Sequence, residues 1–144
     1  MYLCTEYAYQ RTMRKNLLPI VVLVILTSCH KQTFEERVAE EINNFNRKES
    51  PKRMDEVTTL DSLCFDGTSR TMTYCYSLNG LADDETLLTP EVKGKQREAL
   101  LLNLRGNIQL KPHKEQGFNF EYCYYSHKSG KLLLRERFTQ EDYK

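Results

Sequence analysis

Two stretches of this 144-residue chain alternate so regularly that they leave few folds open. From Arg70 to Leu78, Met72, Tyr74, Tyr76 and Leu78 fall in one phase and Thr71, Thr73, Cys75 and Ser77 in the other. From Phe118 to Tyr125, Phe118, Phe120, Tyr122 and Tyr124 share a phase against Asn119, Glu121, Cys123 and Tyr125. A period of two is the signature of a strand with one buried face. Each stretch has a neighbour across a turn. Met54 to Phe65 leads into Asp66-Gly67, with Val57, Leu63 and Phe65 in one phase and Leu60 and Cys64 in the other. His127-Lys128-Ser129-Gly130 leads into Lys131 to Phe138, with Leu132, Leu134 and Phe138 facing the core. The sequence therefore predicts two hairpins, and they echo each other in YCYSLNG and YCYYSHKSG.

A helix precedes each hairpin. Thr33-Phe34-Glu35-Glu36 reads as a capping box, in which the threonine accepts from a free amide and Glu36 reaches back to another. Phe34, Val38, Ile42 and Phe45 then form one apolar stripe. Pro51, in the charged connector Asn46 to Lys52, stops the helix. After Asn79-Gly80 and the acidic connector Leu81 to Leu88, Thr89-Pro90 reads as an N-cap with proline at the first helical position. The second helix is predicted from Pro90 to about Arg105, with Val92, Gln96, Ala99, Leu100 and Asn103 on one face and Gly106 as a left-handed C-terminal cap. Gly94 inside it costs up to ~1 kcal/mol of helix preference. Ile108 to Gly117, broken by Pro112, is expected to be a loop or short edge segment, and the polar tail Thr139 to Lys144 is expected to fray. The expected class is α+β, in the order helix, hairpin, helix, hairpin (αββαββ). It layers most simply as a four-stranded, mostly antiparallel sheet with both helices on its apolar face.

Ahead of this lies a different kind of segment. Arg14 and Lys15 lead into an apolar run from Leu17 to Leu26, interrupted by Pro19 and followed by small residues, which is the pattern of a signal peptide. Its end, Leu26-Thr27-Ser28-Cys29, resembles a bacterial lipoprotein signal. That resemblance implies a thiol lipidated at Cys29 and cleavage in front of it. An ordinary secretory signal is the rival and would leave Cys29 unmodified. Residues 1–28 are thus expected to be signal peptide, with Met13 a candidate start, residues 29–32 the lipidated cysteine and tether, and residues 33–144 a single domain. A tether of about four residues reaches no more than ~14 Å, so the domain would sit close to the lipid surface.

Removing residues 1–28 from 144 leaves 116, enough for one core without a metal. Of 21 basic and 20 acidic side chains, Arg11, Arg14, Lys15 and Glu6 are discarded, leaving 18 and 19. With no basic excess, no nucleic-acid partner is expected. Cys64, Cys75 and Cys123 remain besides Cys29, too far apart in sequence for a CxxC motif. Outside the cytoplasm a disulfide is plausible. Cys75 and Cys123 both lie opposite the aromatic phase, and neighbouring strands would bring this candidate pair within disulfide reach.

The helix followed by Ser50-Pro51 and Asp55 to Ser62, then Met72-Thr73-Tyr74-Cys75-Tyr76, then Phe120 to Lys131 and Phe138 to Tyr143, resembles a group of small exported bacterial proteins of unassigned activity over residues 34–143. In that group a cysteine often precedes the matching proline, where this chain has Ser50. The resemblance carries no active site.

No catalytic signature stands out. His30, His113 and His127 are scattered, so no metal site and no cofactor are expected. Asp83-Asp84-Glu85 lacks the oxygen spacing of a calcium loop. Glycine-rich phosphate loops are absent. Among the aromatics, Tyr74, Tyr76, Tyr122 and Tyr124 are expected to pack under the helices, and Tyr125, in the opposite phase, is the candidate exposed contact. The expectation is a lipid-anchored cell-envelope protein, at the outer membrane of a Gram-negative bacterium, that binds an envelope protein or glycan without catalysis. The alternative is a small envelope hydrolase or carbohydrate-handling enzyme.

Overall fold

A computed structural model of the protein describes residues 31–144. The signal segment, Cys29 and His30 lie outside the described residues. Within Phe34–Lys144, a compact unit, helix α1 spans Phe34–Lys48, strand β1 Lys52–Arg53, β2 Thr58–Asp66 and β3 Thr71–Leu78. Two 3-10 turns, Gly80–Asp83 and Glu85–Leu87, lead to helix α2 (Pro90–Gly106). Then come helix α3 (Lys111–Glu115), strands β4 (Asn119–Ser126) and β5 (Leu132–Phe138), and helix α4 (Gln140–Tyr143). The protein is α+β, as expected, and both hairpins form.

The sheet differs from expectation in two ways. It has five strands in the order β1-β2-β3-β4-β5, and β3 pairs with β4 in parallel, so it is mixed. The fifth strand, Lys52-Arg53 against Thr59 and Leu60, has only two charged residues, which show no period in sequence and keep the edge from recruiting another chain. The parallel pair follows from the connection. The chain between β3 and β4 is long enough, with α2 inside it, to cross over the sheet and return in the same direction.

One apolar cluster unites α1 (Val38, Ile42), α2 (Leu104), the sheet (Met72, Phe120, Tyr122, Tyr124, Leu134, Phe138), Phe118 and Tyr143. Both long helices therefore cover the same face of the sheet. α1 lies on β2, and α2 on β5 and α4. Asn46 fixes the first contact by standing in for a strand: its amide donates to the Leu63 carbonyl at 2.7 Å and its Oδ1 accepts from the Leu63 amide at 2.9 Å. Arg97 fixes the second. Its guanidinium lies 4.6 Å from the Phe138 ring centroid, pairs with Glu136 at 2.6 Å and reaches Asp142 at 3.4 Å.

That inward arginine turns α2 away from the expected stripe. Lys93, Gln96, Arg97, Leu100, Leu101 and Leu104 are half-buried or buried, while Val92, Ala99 and Asn103 are exposed. A long charged side chain can cover apolar surface with its stem and bond at its tip, so reading the face from apolar residues alone misplaced it. The N-terminus is as predicted, with Thr89 Oγ1 accepting from the Val92 amide and Pro90 at the start. The C-terminus is not. Gly106 stays helical, and Lys114 Nζ donates to the carbonyls of Leu104 and Arg105 at 2.8 and 2.9 Å, satisfying the helix end from α3.

Ile108 to Gly117 thus contains a short helix, begun by Pro112 where proline is tolerated. The tail is ordered too: Thr139 and Asp142 form a capping box, and the buried Tyr143 hydroxyl donates to the Phe118 carbonyl at 2.6 Å. Two bulges shift strand phases. An irregularity between Leu60 and Ser62 places Leu60 on the face of Leu63 and Phe65, and a second, at Tyr124/Tyr125, leaves Leu132 exposed while Leu133 is buried. Gly80, after Asn79, has φ +62°, the left-handed turn conformation that ends β3. Among the described residues no helix is long and apolar enough to cross a membrane.

Candidate functional site

The parallel pairing sets the two Tyr-Cys-Tyr sequences side by side: Tyr74 against Tyr122, Cys75 against Cys123, Tyr76 against Tyr124. Because side chains alternate along a strand, the four tyrosines share the helix-covered face and the two cysteines share the other. On the tyrosine face the rings stack. Tyr74 and Tyr122 lie 5.1 Å apart and 13° from parallel, Tyr76 and Tyr124 4.9 Å and 14°. Tyr74 and Tyr76 stack along β3 at 6.5 Å.

α1 covers the β2 side of this floor and α2 the β5 side, with the four tyrosines of β3 and β4 packed into the core cluster between them. Burial grades along the row. At one end Met72, Phe120 and Phe138 form a sealed row, while at the other Tyr76 and Leu78 are half-open. Burial raises the Tyr74 phenol to about 12, and burial with the neighbouring phenols raises Tyr76 and Tyr122 as well. The floor is therefore neutral at any physiological pH. Tyr124 is raised by burial and lowered in part by a hydrogen bond with Gln96 of α2.

Apolar side chains are left uncovered where the open end meets its connections. Val57, which packs against Gly80, is 37% exposed, Leu81 81%, Leu87 51% and Val92 42%. The acidic connector between β3 and α2 is pinned by its charges. Asp83 accepts from the Lys128 amide at 3.1 Å, Asp84 caps Thr86, and Glu85 pairs with Lys131 at 2.6 Å. Asp83-Asp84-Glu85 therefore serves to hold the connector against the β4–β5 turn.

The opposite face carries the polar chemistry. Cys64 of β2 is exposed, Cys75 half-buried and Cys123 buried, and all three are free thiols. Arg135 crosses from β5 with its Nε 3.1 Å from Glu121, whose Oε1 also accepts from the Cys123 thiol at 4.0 Å, while Tyr125 adjoins the same group. Tyr125, the expected exposed contact, is half-buried in this cluster. The parallel pairing of β3 and β4 sets Cys75 and Cys123 opposite each other in register.

The histidines are not brought together. His113 is half-buried, edge-on to Phe34 and Phe118 at 5.4 Å each, and His127 is exposed in the β4–β5 turn. Among the described residues no group of three His, Cys, Asp or Glu side chains is arranged to hold a metal. An open depression lined by Glu36, Ala39, Glu40, Asn43, Asn46 and Arg47 lies on α1 alone and joins neither hairpin. Asn46, Arg97 and Arg135 were not singled out from sequence. Polar residues inside helices and strands carry no period of their own, and the one usable signal was the repeated Tyr-Cys-Tyr.

A family model described as a domain of unknown function, DUF8479, matches residues 33–134. No curated protein sequence matches the chain. Three solved structures share its fold. A Pseudomonas aeruginosa protein inferred to be secreted, PA3611, superposes with a TM-score of 0.60 at 12% identity, over 79% of this chain and 100% of that one. The pilotin EpsS of the Vibrio vulnificus type 2 secretion system gives 0.57 at 10% identity, over 76% of this chain and 91% of that one. AspS, a type II secretion system pilotin from Vibrio cholerae, gives 0.54 at 14%, over 77% and 94%.

Proposed function

The chain belongs to the DUF8479 family of unknown function, and from its geometry we propose that it is a non-catalytic docking module of a cell-envelope assembly, held at the outer membrane of a Gram-negative bacterium by a lipid on Cys29. The observation that carries it is the half-open end of the tyrosine row, Tyr76 and Leu78, with Val57, Leu81, Leu87 and Val92 left uncovered in the adjoining connections. Exposed apolar side chains favour an apolar surface over a charged ligand. The facing rings of each tyrosine pair are spent on one another, which leaves less ring face for a sugar and favours a protein segment with an apolar face. The fold shared with two secretion-system pilotins supports an assembly role.

The anchor follows the sequence. Cleavage before Cys29 leaves His30 to Thr33 between the lipid and α1, and lipid chains contribute ~0.8 kcal/mol per buried methylene to membrane retention. A domain held so near the bilayer meets partners at the membrane surface.

Two experiments test this. A photo-crosslinking side chain placed at Leu87 in growing cells should capture a discrete envelope protein, and Tyr76→Ala or Leu81→Glu should remove that adduct while the protein stays in the membrane fraction. An identical adduct from a probe at Leu102, exposed on the far half of α2, would reject the half-open end of the tyrosine row as the docking site. Cys29→Ala should release the protein from membranes or leave it uncut. Unchanged retention and lipid labelling would reject the anchor.

A further inference from the structure

The sheet face away from the helices holds three thiols in a line. Cys75 and Cys123 are direct neighbours on the parallel pair, and Cys64 sits one step along the diagonal, because β2–β3 register sets Cys64 opposite Thr73 and Ser62 opposite Cys75. Alternation puts all three side chains on one face. Cys75 is the common neighbour: burial raises its thiol pKa, and the nearby Cys64 and Cys123 sulfurs add to that rise. Access falls along the row, from exposed Cys64 through half-buried Cys75 to Cys123, which is 1% exposed beneath Arg135, Glu121 and Tyr125.

We propose that this row is a redox relay in which Cys64 takes up an oxidising equivalent at the surface and passes it through Cys75 to a buried cross-strand Cys75–Cys123 disulfide. The oxidant class is a low-molecular-weight disulfide, met outside the cytoplasm. The Cys64 thiolate attacks one of its sulfurs, the small S–S bond breaks, and one small thiol leaves with a proton. Cys75, as thiolate, attacks the Cys64 sulfur of the mixed disulfide, forms Cys64–Cys75 and expels the second small thiol. Cys123 then attacks the Cys75 sulfur, forms Cys75–Cys123 and returns Cys64 to the thiol. Two protein thiols lose two electrons and two protons, and the small disulfide gains both.

Geometry fixes the end point. Neighbouring strands lie about 4.7–4.9 Å apart, within the Cα spacing of a relaxed disulfide, about 4.4–6.8 Å. A diagonal pair starts from about 7–8 Å, which makes the Cys64–Cys75 bond the strained intermediate. Burial explains why an entry thiol is needed, since Cys123 offers an external disulfide no approach. The bond would staple the parallel pair beneath the four tyrosines.

The test uses the full chain with Cys4→Ser and Cys29→Ser, so that only the row reacts. After incubation with oxidised glutathione, alkylation and non-reducing peptide mapping of the monomer should find Cys75–Cys123 linked and Cys64 alkylated. Cys123→Ser should stop at Cys64–Cys75, Cys75→Ser should hold only a glutathione adduct on Cys64, and Cys64→Ser should slow the bond severalfold. Three alkylated thiols in the parent chain, a final bond to Cys64, or an internal bond in Cys75→Ser would overturn the relay. If Cys75→Ser does not fold by circular dichroism, the exposed Cys64→Ser variant decides, and an unchanged rate there overturns the relay.

Discussion

The two faces of β3 and β4 are made from one repeated tripeptide, yet they are different materials. On the helix side the tyrosines and the Met72, Phe120 and Phe138 row pack into a cluster shared by both long helices and by Phe118 and Tyr143. On the other side the same strands present Thr73, Cys75, Glu121 and Cys123, covered by no helix among the described residues and shielded mainly by Arg135 and Tyr125. The lesson concerns what holds each face. The helix side is stabilised by apolar area withdrawn from water, whereas the open side depends on β-ladder hydrogen bonds and short side chains. Cohesion belongs to the first face, and chemistry is available on the second.

The sharpest way to break that comparison is to cut both faces equally. Phe120→Ala removes a ring with no exposure and should cost about 3–5 kcal/mol, read as a shift in urea midpoint at constant slope. Thr73→Ala, on the same pair of strands but the open face, should stay within about 0.5 kcal/mol. Equal losses would mean that the open face is as firmly packed in solution as the helix side. A smaller effect tests the lid on the core. Tyr143→Phe keeps the ring edge-on to Phe120 but removes the donor to the Phe118 carbonyl. It should cost about 1–3 kcal/mol, because a buried acceptor is left unpaired. No loss would show that α4 frays in solution, as its polar composition suggested.

That tail shows where sequence reasoning stops. The alternating strands, the Phe34–Val38–Ile42 stripe and the Thr89-Pro90 start were all legible, because each is a periodic or local signal whose cause lies within a few residues. The tail was misread because its order comes from long-range bonds, Tyr143 to Phe118 and Arg97 and Arg105 to Asp142, and from a capping box too short to form a helix without that support. The same holds for α2, turned by Arg97 toward Glu136 on β5, and for its C-terminus, closed by Lys114 instead of by Gly106. The parallel centre of the sheet is a property of the crossover and leaves no mark on either strand. As for the candidate site, the four tyrosines, Cys75 and Cys123 were in view with the correct faces. Their assembly into one stacked tyrosine floor and one thiol row needed the register.

The smallest expected effect is a pH dependence that belongs to the helix face. His113 packs edge-on to Phe34 and Phe118, and among the described residues its Nδ1 is buried without a partner. Burial holds its pKa below the ordinary value of 6.5, with Glu41 opposing in part. The sign follows from linkage. Above pH 6.5 the ring is neutral in both states and contributes nothing. As pH falls through 6.5 the unfolded chain takes up the proton first, so stability drops until the folded value is reached and then levels off. Urea midpoints should therefore fall between pH 7.5 and 5.5. That range lies above the carboxylates lowered by local hydrogen bonds, such as Asp55, Asp66 and Asp142, which lose their contribution only in more acid solution. His113→Phe should flatten the decline while leaving the open face untouched. A decline that persists in the variant would move its origin away from His113, and would remove α3 from the account of what holds the helix side together.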